Sequence, residues 1–253
     1  MRASRLGASS RNARNSTNLN ARSLKSLFAI ASTAATLLAG CDSLPGRPTQ
    51  ADLPLRPSAV TDFAALYGEN CAGCHGADGK SGAAVAMNNP VYLAIVDDAS
   101  MRRVIADGVA GTPMPPFAKS AGGSLTDPQI DILIAGIRKS WAGAAGAGTD
   151  APPYSGSAGN PSNGSQVYAA NCQSCHGADG KGGPKAGSIV NPSYLSLVSD
   201  QNLRTIVIAG RPELGHPDWK NDVAGQPLTP AQVSDVVAWL ASKRPASPLA
   251  QSN

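Results

Sequence analysis

The sequence predicts an all-α protein made of two tandem copies of one small domain, each of about three to four short helices, and three observations predict it. The first is an internal repeat. Tyr67-Gly-Glu-Asn-Cys-Ala-Gly-Cys-His-Gly-Ala-Asp-Gly-Lys80 returns 101 residues later as Tyr168-Ala-Ala-Asn-Cys-Gln-Ser-Cys-His-Gly-Ala-Asp-Gly-Lys181, and self-similarity on that scale means duplication of a folding unit. The second is apolar spacing at the helical period in matching places of both copies. The third is punctuation: 27 Gly and 20 Pro in 253 residues keep the helices short and the connections loop-like.

The elements follow in order. Phe63, Leu66 and Tyr67 fall at i, i+3, i+4 ahead of the repeated motif, with Val167 and Tyr168 in the second copy, so a short helix runs into each motif. A middle helix carries Met101, Val104 and Ile105, or Leu203, Ile206 and Val207, and stops at Gly108 or Gly210. The last helix opens on a Thr N-cap with Pro in its first turn, Thr126-Asp-Pro128 and Thr229-Pro230. Its stripe is Ile130, Leu133, Ile134 and Ile137 in one copy and Val233, Val236, Val237 and Leu240 in the other. The alignment drifts through one-residue insertions: Asn89-Pro90 meets Asn191-Pro192 at 102, and Leu125-Thr126 meets Leu228-Thr229 at 103. The copies span 60–141 and 162–244. The Ala-, Gly-, Pro- and Ser-rich segment 142–161 reads as a flexible linker, and 245–253 as a disordered tail.

The net charge of +4 looks like a nucleic-acid signal until its distribution is examined. Arg2, Arg5, Arg11, Arg14, Arg22 and Lys25 lie in residues 1–40, which hold no acid, leaving 15 of the 21 basic residues against all 17 acids in 41–253. The folding part is slightly acidic, and nucleic acid drops out as a partner. Residues 1–40 end in an apolar run, Leu27 to Leu38, followed by Ala39-Gly40-Cys41. A basic leader, a short apolar stretch and small residues before a cleavage point describe an export signal, too short for a stable membrane span. Residues 41–59, with Pro45, Pro48, Pro54 and Pro57, form a Pro-rich tether.

Cys71-Ala-Gly-Cys74-His75 and Cys172-Gln-Ser-Cys175-His176 are both C-x-x-C-H, the attachment sequence for c-type haem. Two thiols at that spacing add to the two vinyl groups of the porphyrin, and the following imidazole lies under the iron. A redox dithiol does not need the histidine, and a four-cysteine zinc site is not normally split by about 100 residues. Two covalent haems also supply cores that a chain with 4% aromatic residues would not build from side chains. The sixth iron position normally takes Met or His. In copy one Met114 sits in the proline-stiffened segment Pro113-Met114-Pro115-Pro116, 39 residues after His75, with Met87 as the alternative. Copy two has no methionine, and the register of 102 places His216 where copy one has Met114 and Trp219 where it has Phe117. The expectation is therefore His75/Met114 on one iron and His176/His216 on the other, with Lys220 or an open sixth position as alternatives in copy two.

On these motifs, helix order and sixth-ligand loops, each copy resembles a class I cytochrome c domain of the kind found as tandem pairs in dihaem cytochromes. The resemblance implies that Pro90 and Pro192 present their carbonyls to the motif histidines; a plain turn proline is the other reading. It implies single-electron transfer between redox partners of a respiratory chain. Leu-Ala-Gly-Cys resembles the lipobox of bacterial lipoproteins, which implies diacylation of Cys41 and a lipid-held protein on the periplasmic side of a membrane. Asp42 points to the cytoplasmic rather than the outer membrane. Two competing functions remain: a peroxidase-like dihaem enzyme with an open iron in copy two, and an obligate subunit of a larger quinol-oxidising, dehydrogenase or terminal-oxidase complex.

Overall fold

A computed structural model describes residues 49, 53–142, 150–220 and 226–245. The export signal, Cys41, most of the tether, the middle of the linker and most of the tail lie outside the described residues, and so do the expectations placed on them. From residue 55 onward the two repeats belong to one compact unit. It contains ten α-helices, five per repeat, and no strands among the described residues.

Domain 1 contains α1 (Phe63–Asn70), α2 (Ala72–His75), α3 (Pro90–Ile95), α4 (Asp98–Asp107) and α5 (Asp127–Trp141). Domain 2 repeats the order as α6 (Pro161–Asn171), α7 (Gln173–His176), α8 (Pro192–Leu197), α9 (Asp200–Ala209) and α10 (Pro230–Ala241). The starts are chemically explicit. Both last helices open with a capping box, in which Gln129 Oε1 accepts from Thr126 N at 3.0 Å and Gln232 Oε1 from Thr229 N at 2.9 Å. The helices α3 and α8 were not anticipated individually. Their signal is nonetheless in the sequence: Asn89 and Asn191 accept from the first-turn amides, and Pro90 and Pro192 occupy N1, where a missing N–H costs nothing. Both middle helices end at a glycine with φ of 67° at Gly108 and 66° at Gly210. A Cβ at either would meet backbone of the following loop at 2.5–2.8 Å.

The expected stripes of α5 and α10 are buried in the two cores. The middle-helix stripe is shifted: Met101 and Ile105 are buried in α4, but in α9 it is Leu203 and Ile208 that are buried while Ile206 and Val207 are half-buried. In each domain the first and last helices cross very closely. At one crossing Gly136 of α5 admits Phe63, and a Cβ there would lie 2.1 Å from the Phe63 ring. At the other the roles reverse: Gly164 of α6 lies under Trp239 of α10, and a Cβ would come within 2.0 Å of the Asp235 carbonyl.

The linker is not free along its whole length. Pro152 is fully buried, Tyr154 packs on the core of domain 1 and Ala151 on that of domain 2. The carbonyls of Pro153 and Tyr154 accept from Arg204, a guanidinium only 5% exposed that also donates to Ser234 Oγ. The composition suggested flexibility because Ala, Gly and Ser carry little information about tertiary contacts. The carbonyls of this strap satisfy a buried cation that would otherwise be costly. The end of the tether is pinned too, since Gln129 Nε2 donates to the carbonyls of Pro57 and Val60 at 2.7 and 3.0 Å.

The crossings give a paired prediction. Gly164→Ala should destabilise domain 2 by about 1–3 kcal/mol through overpacking and lower its thermal midpoint. Gly68→Ala, on an exposed stretch of α1 with nothing within 4 Å of a new Cβ, should stabilise by about 0.5–1 kcal/mol. Thermal melts of both variants followed by circular dichroism check the opposite signs.

Candidate haem sites

Each motif is a single hydrogen-bonded turn docked under the helix before it. Cys74 N and His75 N both donate to Cys71 O at 3.2 and 3.0 Å, and Cys175 N and His176 N donate to Cys172 O at the same distances. Tyr67 hydroxyl then donates to Gly76 O at 2.8 Å and Tyr168 hydroxyl to Gly177 O at 2.5 Å, tying each turn back to its helix. Burial, with the nearby cysteine as a smaller cause, pushes both phenols up to about 12. They therefore stay protonated as donors. The first cysteine of each motif packs on its core. Burial, and next the partner thiol, raise Cys71 and Cys172 to about 11 as free thiols. The four cysteines stay as two separate pairs, and among the described residues no three or more His, Cys, Asp or Glu side chains gather as a metal cluster.

Both motif histidines use Nδ1 for a backbone carbonyl, which leaves Nε2 for a ligand. Here the structure corrects an expectation. His75 Nδ1 is 2.9 Å from Val85 O and His176 Nδ1 is 3.2 Å from Gly187 O, so the orienting carbonyls are those of Val85 and Gly187 and not of Pro90 and Pro192. The reason is local: a proline at N1 has its carbonyl in the helical ladder, accepting from the next turn. Val85 and Gly187 are themselves equivalent at the register of 102, but a carbonyl acceptor leaves no side-chain signature by which sequence could reveal it. Burial lowers the pKa of His75, with the Val85 bond opposing it, so the ring is held neutral, the form that binds metal.

The sixth-ligand loops share one bond and differ in the next. Val109 N donates to Met114 O at 3.0 Å, and the matching pair Arg211 N and His216 O is 3.1 Å apart. Phe117 N returns to Ile105 O, whereas Trp219 N returns to Ile208 O, one position further along in register. Met114 remains half-exposed on its loop, whereas Met87 and Met101 are taken up by the core. In domain 2 the ring centroids of His176 and His216 are 6.0 Å apart with 50° between planes. That separation would suit two imidazoles holding one metal between them at bonds of about 2 Å each. His216 Nδ1 is buried with no protein hydrogen-bond partner. Burial first, and then the neighbouring His176, depress its pKa. Lys220 is exposed, its Nζ 6.0 Å above the Trp219 ring. In domain 2 two imidazoles near a pair of thiols fit a covalently held iron porphyrin, and in domain 1 His75 follows an equivalent pair of thiols with Met114 as the candidate partner.

Comparison with known proteins identifies the family of both domains. A cytochrome c family model matches residues 161–243, and a model described as cytochrome c oxidase, cbb3-type, subunit III matches residues 58–135. The chain is a tandem c-type cytochrome. Its two domains carry two covalently bound c-type haems. It is 32% identical over 143 residues to the cbb3-type cytochrome c oxidase subunit FixP of Sinorhizobium medicae, a match that covers 53% of the cytochrome and 44% of that relative. The cytochrome thus spans less than half the length of the curated relative it matches. Among solved structures, it resembles a chain of the reducing HAO-like protein complex of Kuenenia stuttgartiensis, with a TM-score of 0.41 and 15% identity over 76% of this chain and all of that one. It also resembles thiosulfate dehydrogenase from Marichromatium purpuratum, with a TM-score of 0.29 and 20% identity over 93% of this chain and 57% of that one.

The independence of the two sites is testable. Replacing Cys172 and Cys175 together by Ser should reduce the bound haem from two per chain to one, read by pyridine haemochrome absorbance against protein concentration. Retention of two would show that the motif cysteines are not the attachment points.

Proposed function

We propose that this cytochrome is a lipid-anchored carrier of single electrons between respiratory partners, working on the periplasmic side of the cytoplasmic membrane. In this reading His75 and Met114 hold the iron of domain 1, and His176 and His216 hold that of domain 2. The observation that carries it is the pair of imidazoles in domain 2, with centroids 6.0 Å apart, which would both hold one iron and so leave little room there for a substrate. Each haem, when bound, supplies reversible exchange of one electron between ferric and ferrous iron. The protein's residues set the direction. The Met114 thioether favours the reduced metal relative to imidazole, so domain 1 takes the higher potential and domain 2 the lower. Electrons then enter beside His176 and His216 and leave beside Met114. The Val85 and Gly187 carbonyls orient the motif imidazoles through Nδ1 and leave Nε2 for a ligand. No histidine remains for general acid–base work, because all three are engaged at the two sites, which disfavours peroxide cleavage.

The lipid on Cys41 supplies the membrane attachment. Among the described residues no helix is long and apolar enough to cross a bilayer, and Cys41 itself lies outside them. The likeness to the cbb3-type subunit III model and to FixP supports a second reading, in which the same chemistry is performed as a subunit of a terminal oxidase complex.

Three measurements bear on these proposals. A redox titration should resolve two midpoints, the higher one moving on substitution of Met114 and the lower one on substitution of His216; one shared midpoint would sink the assigned direction. Electron paramagnetic resonance should show the bis-imidazole signal in wild type and its replacement by a second His/Met signal in His216→Met. Cys41→Ser should shift the cytochrome from the membrane to the soluble fraction, while co-purification with oxidase subunits from detergent extracts would select the second reading.

A further inference from the structure

The two domains meet through the segments that carry their candidate ligands. From domain 1 come Gly82 and Asn89, both between His75 and α3, the stretch that also contains Val85. From domain 2 come Ala209 and Arg211, which lead from α9 into the loop bearing His216. Asn89 has two tasks: its Oδ1 caps α3, and its Nδ2 donates 2.8 Å to the buried carbonyl of Ala209. Ala209 is the last residue of α9, and carbonyls there lack an intrahelical donor. The counterpart Asn191 caps α8 in the same way but is exposed. Val91 and Ile95 of domain 1 pack on the core of domain 2 beside this bond.

Arg211 completes the contact. Its Nη2 donates to Gly82 O at 3.2 Å and its Nε to Glu213, with the two side chains only 14% and 18% exposed. Its own backbone N and O both bond His216, at 3.1 and 3.0 Å. The position is Val109 in domain 1, which has no polar side chain to offer. The need for such a clamp is visible in the loops. Pro113, Pro115 and Pro116 stiffen the chain around Met114, but their counterparts around His216 are Gly215, Pro217 and Asp218, and Gly215 takes a left-handed φ of 76°. Proline lowers the entropy lost on ordering a loop and glycine raises it, so the His216 loop needs restraint from outside itself.

We propose that Arg211 is a positioning residue for the domain 2 iron ligand: together with Asn89 it clamps the His216 loop against the Gly82 segment, so that domain 1 sets the geometry of the second site. This rests on His216 being that ligand. The experiment uses the full-length holoprotein, with two haems per chain verified in each variant. Wild type should be low-spin at both irons. Arg211→Gln should create a high-spin fraction at the domain 2 haem and raise its cyanide-binding rate on the order of tenfold, the effect of losing a charge-assisted hydrogen bond, while the His/Met signal of domain 1 is unchanged. Asn89→Asp, which keeps the helix cap but cannot donate to Ala209 O, should act in the same direction from the other side of the interface. Arg211→Lys keeps the charge without the two-pronged fork and should resemble Arg211→Gln. Variants indistinguishable from wild type, or full rescue by lysine, would overturn the clamp. A wild-type protein already high-spin at domain 2 would instead overturn the assignment of His216, and the clamp with it.

Discussion

Each domain depends on how closely its first and last helices can approach, and that approach is permitted by one glycine at the crossing. The first helix runs directly into the Cys-x-x-Cys-His turn, so its placement decides where two thiols and an imidazole stand. At Gly136 the Phe63 ring fills the space left by the missing side chain, and at Gly164 the backbone of Asp235 and the Cβ of Trp239 do. The buried stripes of α5 and α10 then form the floor of the domain. Glycine inside a helix is ordinarily destabilising by about 0.5–1 kcal/mol, so its use on opposite partners in the two copies marks a steric demand and not a sequence preference.

The two copies show how one geometry survives a change of residues. Trp141 of α5 and Trp239 of α10 do not align, yet both rings lie against the glycine that follows the motif, Gly79 and Gly180. Both also pack on the tyrosine of the first helix, edge-on at 5.0 Å between centroids for Tyr67 and stacked at 4.2 Å for Tyr168. The arginines behave alike. Arg138 donates to the carbonyls of Leu93 and Val96 and pairs with Asp98, while Arg244, one turn further along in register, donates to Leu195 and Val198 and pairs with Asp200. A long flexible side chain can satisfy the same helix-end carbonyls from either position. Arg102 and Arg204 are aligned but differ in partner: the Asp131 carboxylate for one, and Ser234 with the strap carbonyls for the other. The strap thereby joins the fold through the residue at which the copies diverge.

This asymmetry bears on the electron transfer proposed above. Identical domains would give two equivalent sites and no preferred direction. Here the Met114 loop is stiffened by prolines, and the His216 loop touches the other domain through Arg211 and Gly82. With Met114 and His216 as the proposed donors, the two sites differ both in donor chemistry and in what restrains the donor.

Much of this was legible in the sequence. The repeat, the thiol and imidazole spacing, the capping boxes of α5 and α10 and the replacement of Met114 by His216 are all local or register-bound, and local chemistry is what a sequence states directly. Asn89-Pro90 and Asn191-Pro192 also announced helix starts, although they resembled turns bearing a ligand-orienting carbonyl. The acceptors Val85 and Gly187 could not be read, because a backbone carbonyl has no residue identity. The contacts of Arg211 with Gly82, Asn89 with Ala209 and the strap with Arg204 join residues 51 to 129 positions apart. Sequence alone was enough for two haem-binding all-α domains and for a set of candidate donors. Only the tertiary structure decided that the domains interlock and which carbonyls orient the histidines, because these follow from where the close-packed helices place the backbone.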